Sequence, residues 1–323
     1  MRNKFIKWLS GTHPEIVGAW WGRVGVCLVR KQSLSEAEET LEAIYEPCGI
    51  GAVNDLSVGP PTHKEIVNAL RCAFERLGNV DSTLALGVAS GDIFIKNIEI
   101  PTGLTVKQIE QLSVVEAVSN LPVPPEEICA DFIRKESAHS SINERIDVAF
   151  CKRGFVDELS ILAEDAGVSL SIVDRDIQAI HDATLWCAAR NGMPKIDVYP
   201  LGIILAGETA TFQICRSDLD LVSFQINSLT GHRDSLVENV ALIKQELISY
   251  CRRAGLTDEN REPLTYLFVI DELDALGGLG LKFEGLVENS TTLKPRELLR
   301  GDCREAPLYG LMVAAGMSLR TSV

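Results

Sequence analysis

The sequence predicts an α/β fold of two domains, or of one large domain with an insertion, and three observations carry that reading. Apolar spacing switches repeatedly between the alternation of strands and the three-to-four-residue recurrence of helices. Two helix starts are marked by capping boxes, Thr62 with Glu65 and Thr105 with Gln108, where each side chain serves the other residue's orphan N–H. The chain is also long enough, at 323 residues with 46% hydrophobic and 24% charged side chains, for two cores, and too apolar for disorder.

Met1 to Trp8 has a basic start with no apolar run of signal length behind it. Lys4, Phe5, Ile6, Lys7 and Trp8 suit either a weak interfacial helix or a solvated terminus. Ile16 to Arg30 reads as two strands joined by a tight turn at Trp21, Gly22 and Arg23. Gln32 to Tyr45 sets Leu34, Ala37, Leu41 and Ile44 at helical spacing among Glu36, Glu38, Glu39 and Glu42, which predicts a helix with an acidic solvated face. Gly49 to Pro61 is turn-rich. The helix capped by Thr62 carries Ile66, Leu70, Ala73, Phe74 and Leu77 on one face and ends at Gly78. Strand Ser82 to Ser90 follows.

Asp92 to Ile100 reads as a half-buried strand with a slip near Asn97. The helix capped by Thr105 places Ile109, Leu112 and Val115 at helical spacing, and the prolines at 122, 124 and 125 stop it. Strands Ile128 to Arg134 and Arg145 to Cys151 precede a helix with Val156, Leu159, Leu162 and Ala166 on one side, closed by Gly167. The order is β-α-β-β-α. Strand Ser169 to Val173 then runs through Asp174, Arg175 and Asp176 into a helix reaching about Ala189, with the two aspartates read as caps. His181 and Asp182 on that helix point in different directions, so the pair is not read as a dyad.

The second half begins at Ile196. Leu201 to Ile214 is a hairpin, Leu219 to Ile226 a strand, and Asp234 or Ser235 caps a helix with Leu236, Val240, Ile243 and Leu247, ending at Arg252, Arg253 and Gly255. Tyr266 to Ile270 is a buried strand followed by Gly277 and Gly278 in a turn. Pro307 opens a short apolar helix with Leu308, Leu311, Met312, Ala315 and Leu319.

A net charge of −14 weakens any nucleic-acid role, because phosphate neutralisation needs a basic surface. Nine cysteines without a C-x-x-C pair suit buried thiols in a reducing cytosol rather than a disulfide framework or a metal site. No stretch reaches the ~18 apolar residues of a membrane span. The chain has no G-x-x-x-x-G-K-[ST], no G-x-S-x-G and no metal spacing among its five histidines, and Gly278-x-Gly280 lacks the third glycine of a dinucleotide loop.

One stretch says more. Glu99-Ile100-Pro101-x-Gly103-Leu104, a helix, a break with Pro122-x-Pro124 and Glu126/Glu127, then Ala166-Gly167-x-x-Leu170-x-x-Val173-Asp174 closely resembles PilM, the cytoplasmic actin-like component of type IV pilus assembly. The resemblance extends in weaker form over nearly the whole chain. It implies an actin-like fold of the FtsA and PilM type. Residues 1–91 would be the first part of subdomain 1A, 92–168 an inserted 1C subdomain, 169–192 the return to 1A, 193–306 domain II, and 307–323 a helix packing back on domain I.

In actin-like folds the first hairpin is a phosphate loop whose Asp holds a metal shell, and here that position is Trp20. The second loop would fall at Gly207, Thr209 and Thr211, with Leu205 or Ala206 in place of its Asp, and the adenosine loop at Gly277 and Gly278. The resemblance therefore implies vestigial nucleotide loops and a pseudo-ATPase, against an alternative in which ATP and magnesium bind and drive a switch. It implies a PilN-like inner-membrane protein as partner, held by its cytoplasmic tail between 1A and 1C, and a link to the pilus motor ATPase. A GspL-like secretion domain shares the architecture but continues into a membrane span. FtsA ends in an amphipathic helix with no counterpart after Leu319.

Overall fold

A computed structural model describes residues 15–35, 38–48, 60–78, 82–135, 143–193, 200–206, 210–215, 221–226, 245, 248–249, 264–271 and 287–320. The first hairpin forms as expected, from β1 (Ile16–Trp21) and β2 (Gly25–Ser35), with the Gly22 N–H donating to Gly25 O at 3.0 Å. Here β1 is sorted by period two between two covered faces. Val17, Ala19 and Trp21 pack towards α1 (His63–Leu77), while Ile16, Gly18 and Trp20 face the opposite core.

The helix expected over Gln32 to Tyr45 is instead the end of β2 and the strand β3 (Glu38–Pro47). The spacing of Leu41 and Ile44 fits a helix, but the strand is buried on both sides, which erases the polar alternation that marks half-buried strands. Leu41, Ala43 and Tyr45 enter one core and Ile44 the other. The acidic face is not simply solvated either. Glu42 stands directly opposite Arg30, with Nη2 to Oε2 at 2.6 Å, and accepts a second bond from Gln32 at 2.6 Å.

Helix α1 carries the expected capping box of Thr62 and Glu65, and Gly78 takes a left-handed φ of 67° at its end. Strand β4 (Thr83–Val88) runs parallel to β1 and β8 (Ser169–Arg175) parallel to β4. With β14 (Leu299–Asp302) beside β3, the first sheet has the order β14-β3-β2-β1-β4-β8. One face is covered by α1 and α3 (Arg153–Asp165), the other by α4 (Asp176–Arg190) and α6 (Leu308–Ser318).

The second sheet is made of β9 (Leu201–Ala206), β10 (Ala210–Cys215), β11 (Leu221–Ile226), β12 (Leu264–Asp271) and β13 (Val287–Leu293), in the order β11-β10-β9-β12-β13. It repeats the plan β3-β2-β1-β4-β8: an antiparallel meander whose first strand is joined on its other side by a parallel strand, and then by a second. Helix α4 touches both sheets, and the core on its side continues from one into the other through Leu201, Ile203, Leu205, Phe268 and Ile270. The strands β13 and β14, with the helical turn α5 (Pro295–Leu298) between them, have no counterpart in the sequence reading.

Residues 94–165 form the expected β-α-β-β-α run: β5 (Phe94–Pro101), α2 (Val106–Val118), β6 (Ile128–Lys135), β7 (Asn143–Lys152) and α3. The strands make a separate antiparallel sheet, β5-β7-β6. The slip expected near Asn97 is absent, since β5 pairs with β7 without interruption from Phe94 to Pro101. The capping box of Thr105 and Gln108 is present. The face of α2 differs from the reading: Ile109, Ser113 and Ala117 are buried, whereas Leu112 and Val115 point outwards. Residues four apart share a helix face, and small side chains at 113 and 117 let α2 lie close to the sheet.

Candidate functional site

Two places stand out, a closed corner on the first sheet and an open face on the small one. The corner is assembled from the β1–β2 turn, Ser90 after β4, the start of α4 and the start of α6. The Trp20 indole fills it. A Cβ built on Gly22 would lie 2.4 Å from the Trp20 ring and one on Gly310 would lie 2.2 Å from it, so the ring is held between two bare backbones. Tyr309 meets Trp20 edge-on, with ring centroids 6.3 Å apart.

Beside this pair lies Asp176, only 5% exposed. Its carboxylate accepts hydrogen bonds from the Ser90 hydroxyl, the Tyr309 hydroxyl and, at 2.6 Å, the N–H of Ile177. Burial, and then the neighbouring carboxylate, push the Tyr309 phenol above its ordinary range, so it stays protonated and donates. The cap position of α4 is Arg175, which corrects the reading of Asp174 and Asp176 as caps. Asp174 instead pairs with Arg320 at 2.7 Å, and the same guanidinium reaches Asp182 at 2.7 Å.

Helix α6 is thus tied to the β8–α4 joint by Tyr309 near one end and Arg320 just past the other. Between these ties it lies against its neighbours without side chains to spare. A Cβ on Gly316 would sit 1.8 Å from Ala179 O, and one on Gly18 would sit 2.0 Å from Ala314 O. His181 and Asp182 do meet, Nδ1 to Oδ1 at 3.1 Å, although they are adjacent on a helix. Asp182 also accepts from Gln178 at 3.2 Å, so the pair sits in a structural network on α4.

The small sheet is built differently. Ile100, Ile128, Ile146, Val148 and Phe150 pack with Ile109, Ala117 and Leu121 on the α2 side. The other face, with Ile95 and Asn97 of β5, Asp147 and Ala149 of β7 and Asp131 and Ile133 of β6, carries no such layer, and Ile133 is 65% exposed. Asn97 donates to Asp147 at 2.9 Å. Asp147 in turn acts on Arg175, whose pKa burial lowers and the carboxylates at 174, 176 and 147 raise. Asp147 on this face thus lies within electrostatic reach of the β8–α4 joint.

Of the residues singled out from sequence, Gly207, Thr209, Gly277 and Gly278 lie outside the described residues, as do the terminal segment Met1 to Trp8 and most of the helix expected after Asp234. Thr211 is buried within β10, opposite Leu205. Among the described residues no cluster of three or more His, Cys, Asp or Glu could hold a metal ion. Cys27, Cys151, Cys187, Cys215 and Cys303 are buried, Cys48 and Cys129 half-buried and Cys72 exposed. The sequence reading missed Ser90, Tyr309 and Arg320. A pointer existed in Gly310 and Gly316, since glycines inside an apolar helix mark close approach.

The repeated sheet plan, with the β-α-β-β-α run between the fourth and fifth strands of the first sheet, defines a protein of the actin-like class. The model of the family described as type IV pilus assembly protein PilM matches residues 24–200, more than half of the chain, and the chain belongs to that family. A solved structure described as a PilM-PilN type IV pilus biogenesis complex superposes with a TM-score of 0.63 at 16% identity, over 95% of this chain and 98% of that one. The cytoplasmic domain of EpsL, an inner-membrane component of the type II secretion system of Vibrio cholerae, gives 0.47 at 11% identity over 95% and 96%. An inorganic polyphosphate/ATP-glucomannokinase from an Arthrobacter strain gives 0.41 at 12% identity over 95% and 99%. No curated protein matches. Among the described residues no helix is long and apolar enough to cross a membrane.

Proposed function

We propose that this chain is a scaffold on the cytoplasmic side of a type IV pilus inner-membrane complex, one that holds the cytoplasmic tail of a PilN-like membrane protein and works as a pseudo-ATPase. The observation that carries the reading is the Trp20 indole, seated where the family resemblance puts the metal-holding Asp of the first phosphate loop and enclosed by Gly22, Tyr309 and Gly310. An indole cannot coordinate magnesium, and its ring takes the space in which backbone N–H groups would approach phosphate. The nearby carboxylate, Asp176, is already engaged by three donors. The residues at this corner do not fit a magnesium nucleotide.

The tail would lie between the exposed face of the small sheet and the β8–α4 joint. Exposed Ile95 offers apolar contact there, with Asn97, Asp147 and Arg175 as its polar lining. The pilus motor ATPase would meet the assembled pair rather than this face. Co-capture from detergent tests the reading. The immobilised chain should retain the organism's own PilN-like protein equally with and without millimolar Mg-ATP, and Ile95→Glu should weaken retention at least about tenfold by burying an unpaired carboxylate. Nucleotide-dependent capture would favour a switch, and capture unaffected by Ile95→Glu would place the interface elsewhere.

A further inference from the structure

The small sheet holds two unpaired thiols face to face. In the β6–β7 register Cys129 stands directly opposite Cys151. Opposed residues of an antiparallel pair have Cα atoms about 4.5 or 5.5 Å apart, and both spacings fall in the range of about 4.4–6.8 Å that a disulfide spans. Both side chains alternate away from the α2 core formed by Ile128, Ile146, Val148 and Phe150. Cys129 is half-buried, within reach of a small solute, while Cys151 is 6% exposed.

Their surroundings make them unequal. Arg153, the first residue of α3, donates to Glu126 O and Ile128 O, both at 2.8 Å, which fixes a guanidinium next to Cys129. A hydrogen bond from the Cys151 thiol, and then this cation, hold the Cys129 thiol below its ordinary range against burial and against Asp131 and Asp157. The same bond, and then burial, push Cys151 up. One sulfur is thus prepared as a nucleophile and the other kept as a proton-bearing neighbour.

We propose that Cys129 and Cys151 form a dithiol/disulfide site whose oxidant is a small-molecule disulfide of the glutathione class. The Cys129 thiolate attacks one sulfur of that disulfide, its S–S bond breaks, and one thiol leaves after taking a proton. Cys151 then gives up its proton and attacks the Cys129 sulfur, a second S–S bond breaks, and the second thiol leaves. The protein thiols lose two electrons and the small molecule is reduced to two thiols. In a reducing compartment the site rests as the dithiol.

The link would join β6 to a residue separated from α3 only by Lys152. Helix α3 and its C-cap residue bury Leu162, Ala163 and Ala166 in the core shared by α1 and the first sheet. Oxidation would therefore lock β6 to the end of β7 from which α3 leaves for the first sheet. This inference is independent of the proposed partner.

The test treats the full-length, reduced protein with oxidised glutathione near neutral pH and maps its peptides without reduction by mass spectrometry. Two thiols should be lost together, with Cys129–Cys151 as the dominant linked peptide, while exposed Cys72 carries only a glutathione adduct. Cys151→Ser should accumulate a stable adduct on Cys129, and Cys129→Ser should leave Cys151 unmodified, with circular dichroism confirming that both variants are folded. Retention of both thiols while Cys72 reacts would overturn the proposal. So would a lasting Cys129 adduct in the unsubstituted protein, or linkage of either residue to a third cysteine.

Discussion

The large first sheet and the small three-stranded sheet share one chain and opposite strategies. The first is covered on both faces, and Trp20, Tyr309 and Asp176 pack its corner. The second covers one face with α2 and leaves Ile95, Asp131 and Ile133 of the other exposed, and even α2 turns Leu112, Val115 and Val118 outwards. Ordinary surface need not be apolar in so concentrated a form. The contrast puts the close packing at the corner of the first sheet and the exposed apolar surface on the small sheet and α2.

The strongest way to break that contrast is to wedge the closed side apart. Gly316→Val would drive a side chain into Ala179 O, which a Cβ alone approaches to 1.8 Å. Backbone cannot yield as a flexible side chain can, so the expected loss is about 3 kcal/mol of unfolding free energy, the upper end of what overpacking usually costs, read from urea denaturation. A loss below about 1 kcal/mol would mean that α6 is not docked as described.

A smaller effect sharpens the account of the corner. Tyr309→Phe removes one donor from buried Asp176 and should cost about 1–3 kcal/mol at neutral pH. The substitution also changes the alkaline limb. The folded phenol titrates above its ordinary value of 10.0, so the unfolded chain releases this proton first. Stability from the protonated phenol is whole below about pH 10 and declines as pH rises towards the folded value. Buried Cys27, raised above its ordinary 9.0, adds a decline of the same sign starting lower. Tyr309→Phe should flatten only the part above about pH 10, which urea midpoints at a series of alkaline pH values would resolve.

Much of this architecture is legible in the residues because it is local. The capping boxes at Thr62 and Thr105, the turn at Gly22 and the β-α-β-β-α order each depend on neighbours within a few positions. Strand β3 was hidden because burial on both faces removes the alternation that distinguishes a strand from a helix. The outward turn of Leu112 and Val115 was hidden because a helix with apolar residues all round does not declare its inner face. The corner was hidden for a third reason. Its members come together only through tertiary packing, with Tyr309 and Asp176 separated by 133 positions, so the residues near Trp20 in sequence do not announce that it belongs to a cluster.

The smallest expected effect probes the open side. Val115, 64% exposed, lies on α2 opposite the buried Ile109, Ser113 and Ala117. Replacing it with serine removes apolar surface that the isolated chain leaves in water, so no cavity forms and no partner is lost. The urea midpoint of Val115→Ser should shift by no more than the equivalent of about 0.5 kcal/mol, the usual range for surface positions. A loss above about 1 kcal/mol would instead show that another part of this chain covers α2 in solution. The outer side of α2 would then be covered too, while Ile95 and Ile133 on the opposite face of the small sheet would stay exposed.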